Sequence, residues 1–182
     1  MKTSLIFAFL VMVVLGSMNA TSGTPQLTTY PSRVFLVEKV MPRVGTKAVD
    51  FTWKDGGKTV AFSEFTKGKV VLLNLWATWC GPCKRELPDI VALSGEMAAQ
   101  GVVVVGVSLD QKEDKFQMVK TFCEKMGIPY LNVIDNLMIA DGYGGVQSIP
   151  TTFIIDRQGN VVQRITGMQS KETFVDALKK AL

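Results

Sequence analysis

A chain of 182 residues has room for one ordinary domain and an appendage, and a hydrophobic share of 47% supplies a sizeable core. The formal charge of +4 is spread along the sequence with no basic block interleaved with aromatics, which argues for a solvated surface and against a nucleic-acid interface. Histidine is absent, so Ser-His and Cys-His dyads, imidazole metal ligands and histidine haem ligation are excluded. Any proton must move through a carboxylate, a lysine, a tyrosine, a thiol or water.

Residues 1–20, MKTSLIFAFLVMVVLGSMNA, carry Lys2 ahead of an uninterrupted apolar run from Leu5 to Leu15, followed by small residues. Spanning a bilayer takes about 20 apolar residues, so the run reads as the core of a secretory signal, with an uncleaved anchor as the alternative. No cysteine follows it, which argues against a lipoprotein anchor. The body of the chain is therefore expected in an exported, periplasmic and oxidising compartment. Residues 21–43 form a lead-in, rich in Thr, Ser, Pro and Gly at first, with Val34–Met41 apolar enough to add a strand.

A regular domain is predicted over 44–182. Val49–Trp53 and Lys58–Ala61 read as a hairpin around Asp55-Gly56-Gly57. Val70–Trp76, VVLLNLW, is nearly all apolar, as suits a central strand buried on both faces. A helical pattern follows through Leu87, Ile90, Val91, Ser94 and Met97, with Pro88 predicted to kink it. Val102–Val107 is a second buried strand, and Phe116, Val119, Cys123 and Met126 share one face of a second helix. Tyr130–Ile134 is a short strand and Gly142–Gly145 a turn. Thr151–Ile155 and Asn160–Ile165 form a hairpin, and Phe174, Ala177, Leu178 and Leu182 mark a closing helix. This order predicts an α/β fold, a central mixed sheet flanked by helices on both faces.

Cys80 and Cys83 stand where the central strand gives way to the first long helix. A zinc site needs about four ligands, and one CxxC without histidine cannot supply them. A purely structural disulfide across two residues removes little unfolded-state entropy. A redox dithiol fits the position better. Unpaired N–H groups of the first helical turn and the positive end of the helix dipole favour a thiolate at Cys80. Pro82 suits a first turn because its missing N–H is not needed there, and Gly81 permits a sharp bend. Cys83, one turn in, is expected to be less exposed and able to attack a mixed disulfide at Cys80.

Trp79-Cys80-Gly81-Pro82-Cys83-Lys84 resembles the thioredoxin active site. Together with Asp50-Phe51, "WATWCGPCKRELP", "GVVVVGVSLD" and "SIPTTFIIDRQGNVV", it makes residues 45–182 similar to the exported TlpA/ResA-like thioredoxin family. The resemblance implies a thioredoxin-like fold with an N-terminal β-hairpin and a helix-strand insertion at about 110–134. It implies that Pro150 is a cis-proline facing the dithiol, beside a groove where a substrate strand pairs. Trp76, Trp79, Gly81, Pro82, Ile149 and Thr151 are expected to border that groove, with core packing the alternative for Trp76. Where thioredoxins carry a buried Asp, this chain has Asn74, which cannot take a proton. Glu86 matches a glutamate that relatives hold near the site and shares a helix face with Cys83. It is the candidate acceptor of the Cys83 proton, a solvated helix charge being the alternative. Cys123 reads as a buried, inert thiol.

The expected activity is that of an exported thiol-disulfide oxidoreductase without metal or other cofactor. Cys80, Cys83, Glu86 and Pro150 are the expected catalytic residues. The resemblance implies a reductant acting on a protein disulfide, with apocytochrome c the leading substrate. It also implies a membrane thiol donor of the DsbD/CcdA kind; the protein itself is expected to be a monomer. A thiol peroxidase of the same fold and a groove-binding module without redox turnover are the rivals.

Overall fold

The computed structural model describes residues 33–182, so the predicted signal over 1–20 and the lead-in up to residue 32 lie outside the described residues. In chain order the elements are β1 (Val34–Val40), β2 (Phe51–Asp55), β3 (Lys58–Ala61), α1 (Phe62–Phe65), β4 (Val70–Trp76), α2 (Gly81–Glu96) and β5 (Val102–Ser108). These are followed by α3 (Lys115–Lys125), β6 (Leu131–Ile134), α4 (Met138–Gly142), β7 (Thr151–Ile155), β8 (Val161–Thr166) and α5 (Lys171–Ala181). The strands form one sheet in the order β3-β2-β1-β6-β5-β4-β7-β8. Its centre, β1-β6-β5-β4, is parallel, while both flanks pair antiparallel.

Every residue of β4 is buried, as its apolar run predicts. Period-two alternation divides the strand between two layers. Val70, Leu72 and Trp76 pack with Leu87 and Ile90 of α2, Val119 of α3 and Phe174 of α5. Val71, Leu73 and Leu75 pack on the opposite face with Phe62 of α1 and Ile139 of α4. Fully burying each such side chain contributes about 1.5–3 kcal/mol, and this two-sided burial holds the central strand in register.

The β2–β3 hairpin turns at Gly56 and Gly57, whose φ of +55° and +83° only glycine adopts cheaply. The insertion is α3 and β6, and β6 sits between β5 and β1 in the sheet. Val34–Val40 pairs with β6 on one side and β2 on the other, so the folded body begins before residue 44. Two details depart from the sequence reading. Helix α2 spans Gly81–Glu96 with Pro88 inside it, so the helical pattern continues past the proline rather than being interrupted there. Phe116, expected on the buried stripe of α3, is 41% exposed because it lies in the first turn of that helix. Phe122 instead meets Trp76, with ring centroids 5.3 Å apart.

One row of residues crosses four strands in register: Thr152, Asn74, Gly106 and Asn132. Gly106 is the gap in that row. Through it Trp76 Nε1 donates to Asn132 Oδ1 at 3.1 Å, and Asn132 Nδ2 donates to the Tyr130 carbonyl at 3.1 Å. A Cβ at Gly106 would fall 2.0 Å from Asn132 Oδ1 and 2.9 Å from Trp76 Nε1. Gly106→Ala is therefore expected to lower the unfolding free energy by about 3 kcal/mol, by overpacking and by breaking the indole bond. Gly95→Ala, on exposed helix surface with nothing within 4 Å of the new Cβ, should raise it by about 0.5–1 kcal/mol. Urea midpoints at unchanged slope check both.

Candidate active site

The loop after β4 is pinned from the side. Thr78 donates to Asp110 from its backbone N at 3.0 Å and from Oγ1 at 2.7 Å, and Ser108 Oγ donates to the same carboxylate at 2.8 Å. Asp110 is buried just beyond β5, so the ends of two adjacent parallel strands fix the loop that delivers Trp79 and Cys80. Asp110 was not among the expected site residues; its place two residues beyond the largely apolar β5 is the only signal the sequence offers for it.

Cys80 is the N-cap of α2, in extended conformation, and the Cys83 N–H donates to its Sγ at 3.2 Å. Pro82 occupies the first turn, where it forfeits no helical hydrogen bond. An N–H at the head of a helix, aimed at a sulfur, favours thiolate over thiol. Cys80 and Cys83 are joined as a disulfide, with Cα atoms 5.3 Å apart. Cys80 keeps 4% exposure and Cys83 none.

The Ile149-Pro150 bond is cis. The Ile149 carbonyl oxygen lies 3.7 Å from Cys80 Sγ, and the Pro150 carbonyl accepts from Gly167 N at 2.8 Å. The structure thus brings Cys80, Cys83, Ile149 and Pro150 together, with Gly81 and Pro82 in the adjoining turn. Trp79 is 65% exposed beside Cys80. Two expected groove residues are elsewhere. Trp76 is wholly buried, because its alternation on β4 turns it into the helix-covered layer, where Asn132 takes its N–H. Thr151 is also wholly buried, its hydroxyl donating to the Ser148 carbonyl at 2.8 Å.

Glu86 is not a solvated charge. It is buried, accepting from Asn74 Nδ2 at 2.9 Å and from the Gln169 backbone N at 3.3 Å. Gln169 had no sequence signal, since a backbone N–H does not depend on residue type. Burial pushes the Glu86 carboxyl up from an ordinary 4.5 to about 7, outweighing the two hydrogen bonds, with nearby Asp89 adding to the rise. Burial likewise pushes the Cys123 thiol up to about 12, with Glu124 and Asp110 reinforcing the shift, which suits an inert thiol.

A cavity of about 480 Å³ lies at the other end of the sheet, among Met41, Val44, Phe62, Ile155 and Gly159, and includes none of these residues. Among the described residues no cluster of three or more metal-ligating side chains occurs and no helix is long and apolar enough to cross a membrane.

A mixed sheet ending in a helix-capped CxxC opposite a cis-proline defines a thiol-disulfide oxidoreductase of thioredoxin-like fold. Similarity to known proteins agrees. The model of the AhpC/TSA family matches residues 44–164. The thiol-disulfide oxidoreductase ResA of Bacillus thuringiensis (strain Al Hakam) is 33% identical over 180 residues, covering 98% of this chain and 97% of that one. ResA of Geobacillus thermodenitrificans (strain NG80-2) is 39% identical over 147 residues, covering 80% and 82%. A thiol:disulfide interchange protein of the thioredoxin family from Chlorobium tepidum TLS superposes with a TM-score of 0.65 at 32% identity, covering 78% of this chain and 99% of that one. The chain belongs to the AhpC/TSA family and, within it, to the ResA-like thiol-disulfide oxidoreductases.

The buried carboxyl has a consequence for stability. The folded state holds the Glu86 proton more tightly than the unfolded chain does. Its stabilisation is therefore complete below the ordinary 4.5 and is lost as pH rises through about 7. At about 1.4 kcal/mol for each tenfold difference in proton affinity, the oxidised protein should lose about 2.5 kcal/mol between about pH 5 and pH 8 relative to Glu86→Gln. Chemical denaturation of both proteins across that range checks it; parallel curves would contradict it.

Proposed function

We propose that this thiol-disulfide oxidoreductase is an exported reductant of protein disulfides, with apocytochrome c cysteines as its leading substrate. The Cys80 thiolate attacks a substrate sulfur, a Cys80–substrate disulfide forms, and the other substrate sulfur leaves as a thiolate. Cys83 then gives up its proton and attacks Cys80 Sγ, forming the Cys80–Cys83 disulfide and releasing the second substrate thiol. Two electrons pass to the substrate, and a membrane thiol donor of the DsbD/CcdA kind restores them. Glu86 takes the Cys83 proton, and Pro150, with the Ile149 carbonyl, lines the edge where the substrate strand pairs.

The observation that carries this reading is the asymmetry of the pair. Cys80 lies at the rim, beneath a helix N-terminus and 3.7 Å from the Ile149 carbonyl oxygen, while Cys83 is sealed behind it. Export is supported by the apolar run of residues 5–15, read as part of a signal over 1–20, and the folded unit by the pattern over 44–182 preceded by its first strand. The reducing direction is supported by Gly81-Pro82 between the cysteines, as in reducing members of the fold.

Cys83→Ala is expected to trap partners as mixed disulfides on Cys80. Recovery of apocytochrome c would support the substrate, and recovery of no disulfide partner would sink the reading. In an insulin assay Cys80→Ser should lose all reductase activity. Rapid peroxide consumption without insulin reduction would point to the peroxidase chemistry of the same fold.

A further inference from the structure

Asn74 has one atom that the site does not yet use. Its Nδ2 donates to Glu86 Oε1 at 2.9 Å and to Thr152 Oγ1 at 3.0 Å, which occupies both amide hydrogens. An ionised carboxylate can only accept, so this amide orientation is locked while Glu86 carries charge. Oδ1 is then turned away from both partners. It is buried and has no hydrogen-bond partner among the described residues. A buried carbonyl oxygen without a donor is a standing cost to the fold.

The neighbouring geometry points to a donor that exists in only one redox state. Asn74 lies on the same face of β4 as Leu72 and Trp76, the face covered by α2. Its partner Glu86 follows Cys83 by three residues, so the two side chains leave α2 as neighbours. In the disulfide Cys83 carries no hydrogen. On reduction, two electrons from a dithiol donor break the Sγ–Sγ bond and the donor becomes a disulfide. Cys80 then leaves as a thiolate, and Cys83 takes one proton and becomes an S–H inside the same layer.

We propose that the Cys83 thiol of the reduced protein donates its hydrogen bond to Asn74 Oδ1, making Asn74 a positioning residue that favours the dithiol state. The inference rests on the reading that Cys80 and Cys83 cycle between disulfide and dithiol. One amide then grips both sides of the proton path, Glu86 through Nδ2 and Cys83 through Oδ1. Asn74 itself has no proton to exchange, which an aspartate in its place would have.

The S–H stretch in the infrared tests this on the full protein at about pH 8, where Glu86 is ionised. Cys123, buried in the apolar layer, is unaffected by the redox state; it cancels in the reduced-minus-oxidised spectrum and serves as the unbonded reference in the absolute one. The expected result is a new Cys83 band below the Cys123 frequency. Its shift should vanish in Asn74→Leu and persist in Thr152→Val, which removes only a partner of Nδ2. The dithiol–disulfide equilibrium against glutathione should move about fivefold toward the disulfide in Asn74→Leu. A wild-type band at the Cys123 frequency would overturn the proposal without any variant, as would an unchanged shift in Asn74→Leu. If reduction released two titratable sulfurs but produced no new S–H band, the proposal would fall alone; if no dithiol could be formed at all, the redox reading beneath it would fall as well.

Discussion

The hydrogen bond from Asn74 to Glu86 joins the middle of the central strand to the helix that carries Cys83. Both groups lie in a layer otherwise built from leucine, isoleucine, valine and aromatic side chains, where an unpaired amide or carboxylate is expensive. The pairing therefore fixes how α2 lies across β4. Cys83 sits one turn before Glu86, so its depth follows from that docking, and Cys80, at the cap, is left at the rim. Gln169 ties the loop before α5 to the same carboxylate. The strand, helix α2 with its disulfide and the loop leading into α5 thus share one polar anchor.

The remainder of the site is built from strand ends. The carboxyl ends of parallel strands are where open α/β sheets present their chemistry, and here β4 and β5 end side by side, bridged by Asp110 and Thr78. Strand β7, antiparallel to β4, begins there, which brings Pro150 to the sulfur. The Ile149 carbonyl faces Cys80 from that direction, and Trp79 stands exposed beside it.

Sequence patterns carried the architecture well, because β4 and β5 are apolar runs that only a doubly covered strand can use, and Gly56-Gly57 permits a tight hairpin. The cysteine spacing identified the chemistry, and similarity to relatives supplied Pro150, which local pattern alone could not. What escaped was tertiary. Whether Trp76 met a groove or the core depended on which face of β4 the helices cover and on the gap that Gly106 leaves for the indole. Thr151 looked like a groove residue because it follows Pro150, yet strand alternation turns its hydroxyl inward. The short helices α1 and α4 have too few residues for a periodic signal. The contact of Asn74 with Glu86 joins residues twelve apart on different elements, and no spacing rule reaches it.

The three tryptophans divide the molecule optically. Trp53 is buried in the layer away from the disulfide, Trp76 is buried in the layer that contains it, and Trp79 stands in solvent one residue from Cys80. A disulfide is an efficient quencher of nearby indole emission and a dithiol a weaker one. Trp76 and Trp79 are therefore expected to brighten as the pair is reduced, at wavelengths set apart by their difference in hydration, against the background of Trp53 in the other layer. Such a response would make the protein its own fluorescent gauge of redox state.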